Sequence, residues 1–167
     1  MPPIVLFVCT GNLCRSPMAA GLFRKRLEEE GLEDAYEVRS AGVSAVEGAP
    51  ASFNALRAME EYGVDLGTHR AHLLTPDDVR QADVVVVMEQ YHADAIVQRL
   101  PEEAHKVHLL TELAGEEGDV EDVYGLGLED YREAAEEIRG LLDAAWQEIL
   151  RLADAHHAAA KGREPPA

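Results

Sequence analysis

The chain has 167 residues, 47% of them hydrophobic and only 5% aromatic, so it is long enough for one compact domain whose core is built from Val, Leu, Ile and Ala. Its formal net charge of -17 weighs against nucleic acid or an anionic membrane as a partner, and any anion site must work by local geometry against an unfavourable overall field. No apolar run approaches the roughly 20 residues of a membrane span. The start Met1-Pro2-Pro3 lacks the basic n-region of a signal peptide, and the two cysteines, Cys9 and Cys14, make a poor disulfide framework. A reduced, cytoplasmic protein is expected.

Ile4 to Val8 is a continuous apolar run and reads as a buried parallel strand. After the polar turn Thr10-Gly11-Asn12, Ser16-Pro17 has the pattern of a helix cap followed by proline at the first helical position, and Met18, Leu22, Phe23 and Leu27 recur at helical spacing up to Gly31. A second strand is expected at Tyr36 to Val38, closing at Ser40-Ala41-Gly42, and a second helix from Ala51 to Tyr62. Thr75-Pro76-Asp77-Asp78 reads as a cap, a proline at the first helical position and two acidic first-turn residues, so a short helix starts there. Val84 to Met88 is the clearest strand, followed by a helix from about Gln90 to Leu100. A short strand at Lys106 to Leu110 and a long helix from Leu128 past Leu152 complete the series, with residues 1–155 as the domain and 156–167 as a frayed tail. Strands alternating with helices predict a single-domain α/β fold, a doubly wound, Rossmann-like, four-stranded parallel sheet flanked by helices. Such sheets place ligands beyond the carboxyl ends of the strands, near a topological switch point.

That rule directs attention to Cys9-Thr10-Gly11-Asn12-Leu13-Cys14-Arg15-Ser16-Pro17, between a buried strand and a helix N-terminus. Successive backbone N–H groups in such a turn can converge on an anion, and the helix start adds free donors and positive partial charge. Gly11 is expected to supply the backbone freedom of a tight cradle. Arg15 offers a planar fork to two phosphate oxygens. Donors that bind phosphate also stabilise a thiolate, so Cys9 at the mouth is placed for covalent phosphoryl transfer. Two cysteines without further partners make a poor zinc site, and there is no Gly-x-x-x-x-Gly-Lys run for a nucleotide loop. A lone cysteine would read as a core residue. Here the Cys, Gly, Arg, Ser and Pro all suit one site. For Cys14 a core role and a site role remain equally open.

The stretch Val8 to Ala19 strongly resembles the low-molecular-weight protein tyrosine phosphatases, whose signature is Cys, five residues, Arg and Ser, with Gly-Asn and a second Cys inside. Ser40-Ala41-Gly42, Thr68-His69, Leu74-Thr75, Val87-Met88-Glu89 and the acid-rich Gly118 to Gly125 follow the same pattern, so the resemblance covers roughly residues 4 to 150. It implies a phosphatase acting on phosphotyrosine and small aryl phosphates, without metal or other cofactor. Cys9 would be the nucleophile, Arg15 the phosphate clamp and Asp122 the general acid and then base. Thr10, Gly11, Asn12, Leu13, Cys14, Ser16 and Tyr124 would contact substrate, while Asn12, Ser16, Ser40 and His69 would hold the loop in shape. Partners would be a phosphorylated protein or aryl phosphate, with phosphate or oxyanion inhibitors in the loop.

Two features depart from the family pattern. Val123 stands where the family has proline, which should leave the acid loop looser, and Asp119 is a backup acid. Val43-Ser44-Ala45-Val46-Glu47 lacks the aromatic that flanks the substrate ring in many members, leaving Tyr124 as the aromatic wall. That half resembles the bacterial protein arginine phosphatases, whereas Leu13 is the apolar choice of the tyrosine phosphatases and is given more weight. Arsenate reductase is a lower-ranked alternative, because this chain has no cysteine after Cys14. A catalytically weak phosphate-binding module is ranked lower still, because a pure binder needs no thiolate. A Cys9–Cys14 disulfide that shields the nucleophile from oxidation is a regulatory hypothesis.

Overall fold

The computed structural model describes residues 1–162. Four strands, β1 (Ile4–Cys9), β2 (Glu37–Gly42), β3 (Val84–Val87) and β4 (Val107–Leu109), form one sheet in the order β2-β1-β3-β4. All neighbours are parallel, with Cys9 paired to Gly42 and Val8 to Val87 at the carboxyl ends. The chain leaves β1 in one direction to reach β2 and returns on its other side to build β3 and β4. The switch point is therefore the carboxyl end of β1, and the cysteine loop opens there.

The alternating faces of β1 explain both hydrophobic layers. Val5 and Phe7 point into one layer with α1 (Arg15–Glu29), α2 (Phe53–Glu60) and the long α6 (Leu128–Lys161). There Phe7, Phe23 and Trp146 form an aromatic chain with centroid separations of 5.5 and 4.7 Å. Ile4, Leu6 and Val8 point into the other layer, covered by Val79 of α3 (Pro76–Gln81) and by Ile96 of α4 (Gln90–Arg99). Val84 to Val87 are wholly buried, as expected of a run of β-branched residues facing helices on both sides.

Most expected elements are present, with edges moved by one or two residues. Thr75 caps α3 as expected: its hydroxyl accepts from the Asp78 amide (3.2 Å) while the Asp78 carboxylate accepts from the Thr75 amide (2.8 Å). Three features differ. Ser16 is not a helix cap: α1 begins at Arg15 and has no side-chain cap, because the Ser16 hydroxyl is engaged with Cys9. A 3₁₀ turn (Pro101–Lys106) and a single-turn helix α5 (Leu110–Leu113) flank β4 where the sequence suggested only a strand. The third is the expected tail from residue 156, which is helical through Lys161. There His156 Nδ1 donates to the Asp83 carbonyl (2.7 Å) and His157 Nδ1 lies 3.2 Å from the Asp83 carboxylate, tying the helix end to the foot of β3. Residues 163–167 of that tail lie outside the described residues.

Candidate active site

Cys9 ends β1, and the chain turns around its sulfur. Asn12 adopts a left-handed φ of 56°, the one non-glycine residue to do so among those described. That turn brings the Asn12 amide to 3.3 Å from Cys9 Sγ. The expectation placed this conformational demand on Gly11, but Gly11 has no positive φ and its missing Cβ faces only the Leu13 side chain. Asn tolerates the left-handed region because its side chain can hydrogen-bond locally, and Asn12 is wholly buried with every polar group used. Its Nδ2 donates to Ser16 Oγ (2.8 Å) and Ser40 Oγ (3.0 Å), and its Oδ1 accepts from the His72 amide (2.9 Å). The amide donor of His72 can only meet an oxygen, which fixes the orientation of the carboxamide. His69 Nε2 donates to the Asn12 carbonyl (2.8 Å), and burial pushes the pKa of His69 down, so a neutral ring suffices. Asn12, Ser16, Ser40 and His69 thus meet in one hydrogen-bonded network.

Ser16 Oγ accepts from Asn12, and its one hydrogen faces Cys9 Sγ at 2.9 Å and, at a longer 3.4 Å, the Ala41 carbonyl. The sulfur therefore faces a hydroxyl and an amide donor beside the start of α1, an environment that favours negative charge. Gly42 permits the close approach of this turn to β2. A Cβ there would lie 2.5 Å from the Thr10 carbonyl oxygen and 2.8 Å from the Asn12 nitrogen.

Arg15 is buried, with 1% of its surface exposed. Its Nη1 donates to the Val120 carbonyl (2.7 Å) and meets Glu89 Oε2 at 3.0 Å, while Nη2 donates to Thr10 Oγ1 (3.3 Å) and lies 3.7 Å from Asp122 Oδ2. Among the described residues, Nε makes no protein hydrogen bond, so the Nε–Nη2 edge remains available to an oxyanion. Glu89 and His92, at the start of α4, were not singled out as site residues. The Glu-x-x-His spacing at a helix start was the available signal, since it brings His92 Nδ1 back to the Glu89 amide (3.0 Å).

A cavity of about 210 Å³ opens over the loop, lined by Cys9, Thr10, Gly11, Leu13, Cys14, Arg15, Asp122 and Tyr124. The carboxylate of Asp122 is half exposed and accepts from the Tyr124 amide (3.0 Å). Asp119 lies away from this lining and accepts from the Gln90 amide (2.9 Å) at the start of α4. The loop carrying Asp122 is pinned on both sides, by Val120 to the Met88 carbonyl and by the buried Val123 side chain. Cys14 is a free thiol whose Sγ lies 3.3 Å from both Ser52 Oγ and Tyr131 Oη. Burial pushes the Cys14 pKa up and that of Tyr131 up to about 12, so Cys14 is held as a thiol in the floor of the site.

A parallel sheet with a cysteine cradle at its switch point, a buried arginine and an opposed carboxylate defines a thiol-dependent phosphate site. Residues 4–153 match the low molecular weight phosphotyrosine protein phosphatase family. The chain is 42% identical over 144 residues to a protein-arginine-phosphatase of Geobacillus stearothermophilus, covering 86% of this chain and 93% of that one. It is 38% identical over 147 residues to a probable low molecular weight protein-tyrosine-phosphatase, EpsP, of Ralstonia nicotianae, covering 88% and 95%. The crystal structure of a low molecular weight protein tyrosine phosphatase from T. tengcongensis superposes with a TM-score of 0.83 at 46% identity, covering 87% of this chain and 99% of that one. The chain belongs to the low molecular weight protein tyrosine phosphatase family.

Proposed function

We propose that this protein hydrolyses phosphotyrosine, and small aryl phosphates, through a phosphocysteine on Cys9. The observation that carries this reading is the one cavity that Cys9, Arg15 and Asp122 line together with the apolar Leu13 and the aromatic Tyr124. The phosphoryl group docks against the loop amides and the free edge of Arg15. The Cys9 thiolate attacks phosphorus while Asp122 delivers a proton to the leaving phenol oxygen. Asp122, now ionised, takes a proton from water, which attacks the phosphocysteine; the thiolate departs with the Ser16 hydroxyl donating to it, and phosphate is released. Charge stabilisation comes from amide dipoles and Arg15.

Leu13 and Tyr124 favour a flat aromatic leaving group. Phosphoarginine is the second reading, favoured by the 42% identity to a protein-arginine-phosphatase. A reducing cytoplasm suits a nucleophilic free thiol, and no helix among the described residues is long and apolar enough to cross a membrane.

The test is kcat/KM on phosphotyrosine and phosphoarginine peptides side by side, with Cys9→Ser as the blank. Preference for phosphotyrosine supports the proposal. Preference for phosphoarginine keeps the Cys9 chemistry and moves the specificity. Turnover of neither above the blank removes the enzymatic reading.

A further inference from the structure

Beside the cradle, Thr10 Oγ1 is a junction for three other side chains. His92 Nε2 lies 2.9 Å away, Arg15 Nη2 lies 3.3 Å away, and the Tyr91 hydroxyl also contacts it. The protons at this junction can be assigned. The Glu89 amide meets His92 Nδ1 at 3.0 Å, and an amide can only donate, so Nδ1 carries the lone pair and Nε2 the hydrogen. His92 is wholly buried. Burial first, then the Arg15 charge, push its pKa down to about 4, so the ring stays neutral around pH 7. His92 Nε2 therefore donates to Thr10, and so does Arg15, which has no acceptor. Both lone pairs of the Thr10 oxygen are then occupied, and its own hydrogen is turned outward as a donor. Tyr91, half-exposed and tilted against the His92 ring at a centroid distance of 4.2 Å, is the group that meets it.

We propose that His92 is a positioning residue of the phosphate site: it orients Thr10 so that Thr10 Oγ1 receives Arg15, and it leaves the Thr10 hydroxyl as a donor that passes from Tyr91 to a phosphoryl oxygen when the cradle fills. The inference rests on the reading of the Cys9 loop as a phosphate cradle. A cation at position 92 would repel Arg15, and an apolar side chain there would leave Thr10 free to rotate its donor onto a protein acceptor. The buried neutral imidazole avoids both faults.

The experiment is calorimetric binding of orthophosphate, together with kcat and KM for an aryl phosphate, on wild type, His92→Leu, His92→Gln, Thr10→Val, Thr10→Ser and the double variant His92→Leu/Thr10→Val. His92→Leu and Thr10→Val should each weaken phosphate binding and lower kcat/KM about ten- to hundred-fold, the loss expected for a hydrogen bond to a charged group. Thr10→Ser and His92→Gln, which keep the hydroxyl and a donor at that end, should stay within about threefold. The double variant should be no worse than Thr10→Val, because His92 acts through Thr10. Tyr91→Phe should bind phosphate at least as tightly as wild type. Additive losses in the double variant, or full phosphate affinity in Thr10→Val, overturn the proposal. If His92→Leu does not fold, the Thr10 pair and Tyr91→Phe decide it. Phosphate binding does not need turnover, so loss of Cys9 chemistry and loss of the positioning role are read separately.

Discussion

Gly42→Ala adds one methyl group where the structure has no room for it. The new Cβ would lie 2.5 Å from the Thr10 oxygen, 2.8 Å from the Asn12 nitrogen and 3.0 Å from the Gly11 carbonyl carbon. All three are backbone atoms and cannot rotate away. Residue 42 is also stitched in place, its amide to the His72 carbonyl and its carbonyl to the Leu74 amide, while Val43 and Ser44 hold the carbonyls of Cys9 and Thr10. Ordinary contact begins near 3.4 Å, so the loop must retreat by about 0.9 Å at Thr10. Overpacking of this kind costs about 1–3 kcal/mol, and a displacement of this size in a catalytic constellation costs about 10²-fold in rate. Urea unfolding should show the stability loss and kcat/KM the functional one. Gly31→Ala is the control, since Gly31 has a φ of 69° and open space around its missing Cβ. It should cost about 1–2 kcal/mol of backbone strain and leave kcat/KM unchanged. Retention of kcat/KM by Gly42→Ala within about twofold would refute the claim that the loop geometry depends on this close approach.

Other outcomes follow from the same geometry. Asp122→Asn should lower kcat on phosphotyrosine by about 10²–10⁴-fold with little change in phosphate affinity, whereas Asp119→Asn should leave kcat nearly unchanged; the reverse pattern in steady-state kinetics would reassign the acid. His72 sits between Glu47 (3.0 Å) and Asp78 (2.8 Å), and these hydrogen bonds, Glu47 first, raise its pKa above 6.5. A raised folded-state pKa gives stability that is complete below 6.5 and is lost as pH rises through the folded value, so urea midpoints should fall between about pH 6 and 8 in wild type and lose part of that slope in His72→Gln. Equal slopes would remove His72 as the source. Because the net charge is -17, kcat/KM for an acidic phosphopeptide should rise severalfold from low salt to roughly 0.15 M, where screening shortens to about 8 Å; a fall would show that local attraction governs encounter.

The four parallel strands and the helix start at Thr75 were legible because each rests on a strong local pattern. Val84 to Val87 suit a strand buried on both faces, and the Thr75 box matches its capping chemistry atom for atom. Ser16 was misread because Ser-Pro before an apolar helix has the same appearance whether the hydroxyl caps the helix or turns back to a sulfur seven residues earlier. The conformational demand falls on Asn12 rather than Gly11 for a related reason. Glycine is the usual solution to a left-handed residue, but here the demand falls on a residue whose side chain must also bond Ser16 and Ser40. The continuation of α6 through His156 and His157 was hidden in part because the partner it meets, Asp83, lies more than 70 residues away. Nothing in an Ala-rich tail announces such a partner.

Non-local closure also resolves the charge problem posed by composition. A protein with 32 acidic and 15 basic Lys and Arg residues does not attract anions at a distance. At contact, however, the cradle does not depend on net charge. Arg15 is buried and already faces Glu89, Asp122 and the Val120 carbonyl, so its charge is largely compensated before any substrate arrives. A buried guanidinium without such partners would destabilise the fold. With them, it is held as an oriented fork rather than as a source of long-range attraction. The loop amides and the start of α1 act likewise, as dipoles whose influence fades within a turn. The acidic surface therefore lowers the frequency of encounters without weakening the site itself. The loss of a single neutral contact inside the cradle, such as the Asn12 bond to Ser40, should matter more than a change of one charge on the surface.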